Sequence, residues 1–180
     1  PSQDDLYRNG FVHRRVVAYA QRGVKVDVFR LRAGEALSYH EFEDIDCITG
    51  SAAALQRMLD SGRYRSVLVH FLDEAMWEVL KQYIDRIKIV VWVHGAEIQP
   101  YHRRSFMYKT EAEHATARQR SDVRMAFWRS VLQPLPANLQ LVFVSQHFAD
   151  EVMADHINNL RAWHSVFTPI IENMTEISSS

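Results

Sequence analysis

The chain has 180 residues, 47% of them apolar and 24% charged, the balance of a globular protein with its own core rather than of a disordered one. Its 21 Lys and Arg against 22 Asp and Glu leave a net charge of -1, which excludes a domain that grips nucleic acid through a basic surplus. The single cysteine, Cys47, excludes an internal disulfide framework and fits a reducing compartment, and no apolar run approaches the roughly 20 residues of a membrane span.

The first ten residues are polar and carry no signal peptide, so the expected location is the cytoplasm. The chain opens on Pro1 without a Met and closes on Ser178-Ser179-Ser180, and either end could be a cut in something longer. Asn9 is a good cap for a helix whose Val12, Val16, Tyr19 and Ala20 share a face, with Gly23 as its stop. Val24 to Phe29 alternates apolar with polar and predicts a strand. Short strands are expected around Leu37–Tyr39 and Asp46–Thr49. Ser51 then caps a helix with Leu55, Met58 and Leu59 inward, ended by Gly62.

Ser66 to Leu72 is nearly all apolar, as in a strand covered on both faces, and Asp73 caps a helix with Met76, Leu80 and Tyr83 on one side. Lys88–Val93 predicts the next buried strand, ending at His94-Gly95. A loop is expected from Ala96 to about Ser105 and a helix from there to about Leu132, broken by Pro134 and Pro136. Leu139–Val144 predicts another strand. Ser145 caps a helix carrying Phe148, Val152 and Leu160, and Ser165–Thr168 predicts a last short strand.

Strands and helices alternating with short turns predict an α/β fold with a mostly parallel, three-layer, doubly wound sheet. One domain is expected over 1–171, with 172–180 as the start of a linker or a tail. The opening on a loop and helix places the expected first strand upstream of Pro1.

An open parallel sheet binds ligands at the C-terminal ends of its strands, which singles out Asn9-Gly10, Leu72-Asp73, His94-Gly95 and Ser145-Gln146-His147. His94 ends a strand at that edge, where an imidazole can hydrogen-bond or exchange a proton, and Gly95 allows close approach. The plainer account is a histidine that merely satisfies a strand end. Asn9-Gly10 suits a phosphate-cradling turn or an ordinary cap, and neither a dinucleotide fingerprint nor a P-loop is present. Ser145 follows a strand, yet Phe143 and His147 stand where a nucleophile elbow needs glycines, which favours a helix cap. Scattered histidines and one cysteine give no metal-ligand spacing. Residues 102–129 hold seven Arg or Lys and three acids, a balance of +4 against -5 for the remainder. That arm is either a charged exposed helix or a surface for anionic lipid or phosphorylated substrate.

The segments Asp5-Leu6-Tyr7-Arg8-Asn9-Gly10-Phe11-Val12-His13-Arg14-Arg15 and Gly23-Val24-Lys25-Val26-Asp27-Val28-Phe29 resemble the start of a group 1 (family 4) glycosyltransferase. Val91-Trp92-Val93-His94-Gly95-Ala96-Glu97-Ile98 is similar to that family's "h-h-x-H-G-x-[DE]-h", and Val142-Phe143-Val144-Ser145 to its next strand-to-helix step. His164 to Asn173 resembles the stretch entering the interdomain linker, although Pro169-Ile170-Ile171-Glu172-Asn173 departs from the usual "h-P-N-G-h-[DE]". The resemblance spans residues 5–173.

It implies the N-terminal, acceptor-side half of a GT-B architecture, in which two Rossmann-like domains face each other. The implied activity is retaining, metal-independent transfer of a sugar from a nucleotide-sugar donor, with no cofactor. The acidic pair and most donor contacts would lie in a C-terminal domain, so this chain alone is expected to be catalytically incomplete. By the same resemblance, Asn9 and Gly10 would lie beside the donor diphosphate and His94 at the transferred sugar as the candidate catalytic group. Gly95, Glu97 and Ser145 would line the acceptor cleft. The implied acceptor is a sugar, a lipid-linked sugar or a polysaccharide, with no nucleic acid, and residues 102–129 would make any peripheral contact with the inner face of the membrane. Two other readings stay open: a free-standing α/β ligand-binding or regulatory module, and a hydrolase using Ser145.

Overall fold

In a computed structural model of the chain, residues 10–156 are described; Asn9, Leu160, the strand expected over 165–168 and the linker stretch lie outside them. The chain divides into two compact units, residues 1–63 and 64–180.

In the first unit, α1 (Gly10–Gln21) ends as expected at Gly23, whose φ is +74°: its N–H bonds the Ala20 carbonyl and the Val24 N–H the Tyr19 carbonyl. Strands β1 (Val28–Leu31), β2 (Ser38–Phe42) and β3 (Ile45–Gly50) form a mixed sheet in the order β1-β3-β2, with β1 parallel and β2 antiparallel to β3. The strand expected from Val24 begins only at Val28, because Val28 is the first residue with a partner, Cys47, on β3. Alternation marked the stretch but not where its ladder starts. Glu43 and Asp44, both at positive φ, make the two-residue hairpin turn from β2 to β3. His13 Nε2 pairs with the Glu43 carboxylate and so ties α1 to that turn. Helix α2 (Ala52–Asp60) starts at the expected cap: Ser51 Oγ accepts from the Ala54 N–H.

The second unit is an α/β unit around a parallel sheet, β4 (Ser66–His70), β5 (Lys88–Val93) and β6 (Leu139–Phe143), in the order β4-β5-β6. Helix α3 (Glu74–Leu80), capped by Asp73, and a 3-10 turn (Lys81–Tyr83) connect β4 to β5. A 3-10 segment (Tyr101–Met107) and the long α4 (Glu111–Leu132) connect β5 to β6, and α5 (Gln146–His156) follows. The central strand β5 is buried on both faces, Ile89, Val91 and Val93 on one and Val90 and Trp92, with Val142, on the other. Trp128, Val131 and Leu132 of α4 are fully buried. Each such side chain contributes about 1.5–3 kcal/mol through lost contact with water.

Two expectations are corrected here. The strand expected over 66–72 stops at His70, and it is not covered on both faces: Val69 is buried but Leu68 is 39% exposed, since β4 borders only β5 in this sheet. The helix expected from about Ser105 begins at Glu111 instead. Thr110 Oγ1 accepts from the Glu113 N–H while the Glu113 carboxylate accepts from the Thr110 N–H, a reciprocal cap that fixes the start.

Candidate functional site

All three parallel strands of the second unit end at one edge, β4 at His70, β5 at Val93 and β6 at Phe143, with His70 opposite Trp92 and Val93 opposite Phe143. Beyond those ends come Phe71, His94-Gly95 and Val144-Ser145. Trp92 and His94 are two residues apart and so project to the same side, and His70 stands across from Trp92. The His70 ring stacks on Trp92 with centroids 5.0 Å apart, and its Nδ1 lies 2.9 Å from Nε2 of His94. Phe71, held at a φ of +55°, lays its ring on the imidazole of His94 with centroids 4.5 Å apart. Positive φ is costly for a bulky residue, about 1–3 kcal/mol, and such strain persists where the surroundings dictate it.

The loop after β5 is fixed just as firmly. Gly95 has a φ of +145°, which only glycine adopts readily, and a Cβ there would meet no atom within 4 Å. The backbone, not space, therefore demands glycine. The Glu97 carboxylate accepts from the backbone N–H of His94, and the N–H groups of Ile98 and Gln99 both return to the Gly95 carbonyl. Three consecutive carbonyls of this loop each receive a side-chain donor: Glu97 from Trp128 Nε1, Ile98 from His156 Nε2 at 2.8 Å, and Gln99 from Arg124 Nη2 at 3.0 Å. Ile98 itself is fully buried. Helices α4 and α5 thus hold the loop that carries His94, and a histidine held in this way can bond a polar ligand without first being ordered.

Burial pushes the His156 imidazole below its ordinary value. The neutral ring donates through Nε2, and its Nδ1 is buried with no partner among the described residues.

The sequence-derived residues divide by unit. His94, Gly95, Glu97 and Ser145 fall on one edge of the second unit's sheet. Glu97 turns one carboxylate oxygen onto the loop's own backbone, and Ser145 Oγ, exposed, accepts from the Phe148 N–H as a helix cap. Gly10 is the exposed first residue of α1 in the first unit, and Asn9 lies outside the described residues. His70 and Phe71 were missed: with the strand read through to Leu72, His70 counted as an interior strand residue. The available signal was a second strand ending, like Val91-Trp92-Val93-His94, on a histidine.

At these strand ends Phe71 is 40% and Val144 67% exposed, beside the exposed Asp73 and Ser145. Of the seven cations in 102–129, Arg103, Arg118 and Arg124 have partners within the fold. Arg103 forms a two-pronged pair with Asp155 (2.8 and 3.1 Å) and reaches Glu151 at 2.9 Å, Arg118 covers the Tyr101 ring, and Arg124 bonds the His94 loop. A pocket of about 380 Å³ lies nearby, lined by His102, Asp122, Arg129 and Asp155 among others, and His94 is not part of its wall. Among the described residues, no helix is long and apolar enough to cross a membrane, and no group of three or more His, Cys, Asp or Glu stands ready for a metal. No protein-family model matches the chain, and no curated protein matches it significantly.

Proposed function

We propose that the chain is the Rossmann-like, acceptor-side domain of a retaining, metal-independent glycosyltransferase of the group 1 type. The observation that carries the reading is His94, held by the His70 contact and the Phe71 ring on a pinned loop at the C-terminal edge of a parallel sheet, where open α/β sheets bind ligands. The motif that resembles the family falls on this loop, His94-Gly95-Ala96-Glu97.

In this reading the acceptor sugar lies against the exposed Phe71 and Val144, with a hydroxyl bonded to His94. His94 stabilises the transition state by hydrogen bonding and is not a nucleophile. The departing diphosphate is stabilised by helix N-termini and side-chain cations, most of them on a C-terminal domain. The acceptor is a sugar, free or carried on a lipid or polysaccharide.

The test is sugar transfer by the full-length parent protein against a panel of nucleotide-sugars, with His94→Ala beside the wild type. Transfer is expected from at least one donor. The substitution should lower turnover by at least about tenfold, about 1.4 kcal/mol of transition-state stabilisation, with the circular dichroism spectrum unchanged. Equal turnover in a folded His94→Ala enzyme would remove His94 from the site, and no transfer from any donor would remove the transferase reading.

A further inference from the structure

We propose that His70 is the positioning residue for His94: its Nδ1, 2.9 Å from Nε2 of His94, fixes the ring plane and the tautomer with which His94 meets a ligand. A neutral imidazole carries one N–H. If His70 Nδ1–H donates, Nε2 of His94 is the acceptor and the His94 proton sits on Nδ1; if His94 Nε2–H donates, the proton sits on Nε2 and Nδ1 is an acceptor. Either way the bond couples the two rings, so the proton of His70 and the hydrogen-bonding sense of His94 Nδ1 change together.

The surroundings are built for that role. His70 ends β4 in register with Trp92, and its ring is stacked on that indole at an interplanar angle of 20°. Trp92 is buried in the central strand, so the histidine paired with His94 rests on a packed platform. Phe71, the very next residue, spends backbone strain to cover the His94 ring at an interplanar angle of 29°, close to the 27° that His70 makes with the same ring. Two consecutive residues at the end of β4 thus flank the ring of the residue that follows β5. Partners that fix which nitrogen of a working histidine carries its proton are recurrent parts of sites that use imidazole chemistry.

The first test is independent of any activity. Long-range proton–nitrogen spectra of the 15N-labelled 180-residue chain, taken where the imidazoles are neutral, report the tautomer of each histidine. His94 is expected in one dominant tautomer. His70→Phe keeps an aromatic ring on Trp92 but removes the nitrogen, and should relax the His94 tautomer ratio about fivefold, the bias one ordinary hydrogen bond supplies. His70→Gln, whose amide can either donate to or accept from Nε2, keeps a bond there without fixing its sense, and its ratio should lie between those of His70→Phe and the wild type. An unchanged His94 pattern in folded His70→Phe overturns the proposal. Should that variant not fold, His94→Phe tests the pair from the other side: His70's own ratio must then relax, and an unchanged ratio there also overturns the proposal.

The kinetic half rests on the transferase reading. In the full-length enzyme, His70→Phe should lower kcat with KM held and move the pH profile, with His70→Gln between it and the wild type. Loss of the tautomer bias without any sugar transfer would sink the transferase reading and leave the pairing intact.

Discussion

At the scale of residues, the histidine that bonds the Ile98 carbonyl makes the site's foundation sensitive to pH. His156 is buried, donates through Nε2, and has its pKa lowered chiefly by burial. The nearby Asp155 carboxylate opposes that shift and the Arg129 guanidinium adds to it. In the unfolded chain the ring takes up its proton near the ordinary value of about 6.5. Between that value and the lowered folded one the unfolded state binds more protons, so stability rises with pH across this window. The contribution of His156 is complete above the ordinary value and is lost as pH falls through it. A second proton would also place an N–H on Nδ1, which is buried and has no acceptor among the described residues. Urea unfolding at pH 7.5 and 5.5 should therefore show a loss of stability on acidification that is smaller in His156→Gln than in the wild type. An equal loss in both proteins would assign the acid sensitivity to other groups.

At the scale of elements, α4 does two jobs at different points along its length: its first turn fixes where the helix begins, and Arg124 and Trp128 hold the loop of His94. Removing the cap separates the two. Thr110→Ala should cost about 1 kcal/mol of unfolding free energy, since the Glu113 N–H loses its side-chain acceptor while the backbone N–H of residue 110 still donates to the Glu113 carboxylate. The His94 resonances should stay in place, because the loop contacts lie more than three turns further along. Urea titration followed by amide and imidazole spectra reads both quantities, and a shift of His94 with the cap would show that the helix moves as one rod. The same elements show what the sequence could and could not convey. The caps Ser51, Asp73 and Ser145 were legible, because each places a side-chain oxygen beside its own helix's free N–H groups, a local matter. The Thr110-Glu113 box was equally local and was obscured by reading the basic arm as one helix. Pairing was not legible: whether Val24 or Val28 opens β1, and whether β4 is covered on one face or two, depends on neighbours distant in the chain. The His70 contact with His94 needed that same register, so one half of the pair was found and the other missed.

At the scale of the whole molecule, the two units differ in how deeply their central strands are buried, and the candidate site stands on the deeper one. From Ile89 to Val93 every residue of β5 is buried, with parallel partners on both sides. In the first unit, by contrast, the central strand β3 has Asp46 exposed and Ile48 half-buried, and its edge strands are shallower still, β1 half-buried throughout and β2 exposed in its middle. Amides open at a cost set by the apolar contacts that must be broken, so native-state hydrogen exchange should be slowest at Ile89–Val93 of β5 and distinctly faster in β1 and β2. His94 follows the last of those protected residues directly, and His70 stacks on one of them, Trp92. A group anchored to the last-opening strand keeps its geometry through the fluctuations that open less buried elements, which is what a preorganised hydrogen-bonding site requires. Exchange measured residue by residue decides the matter. Protection of β5 above that of β1 and β2 supports a rigid platform under His94, and equal protection would place the rigidity in the pinned loop and its three side-chain donors instead.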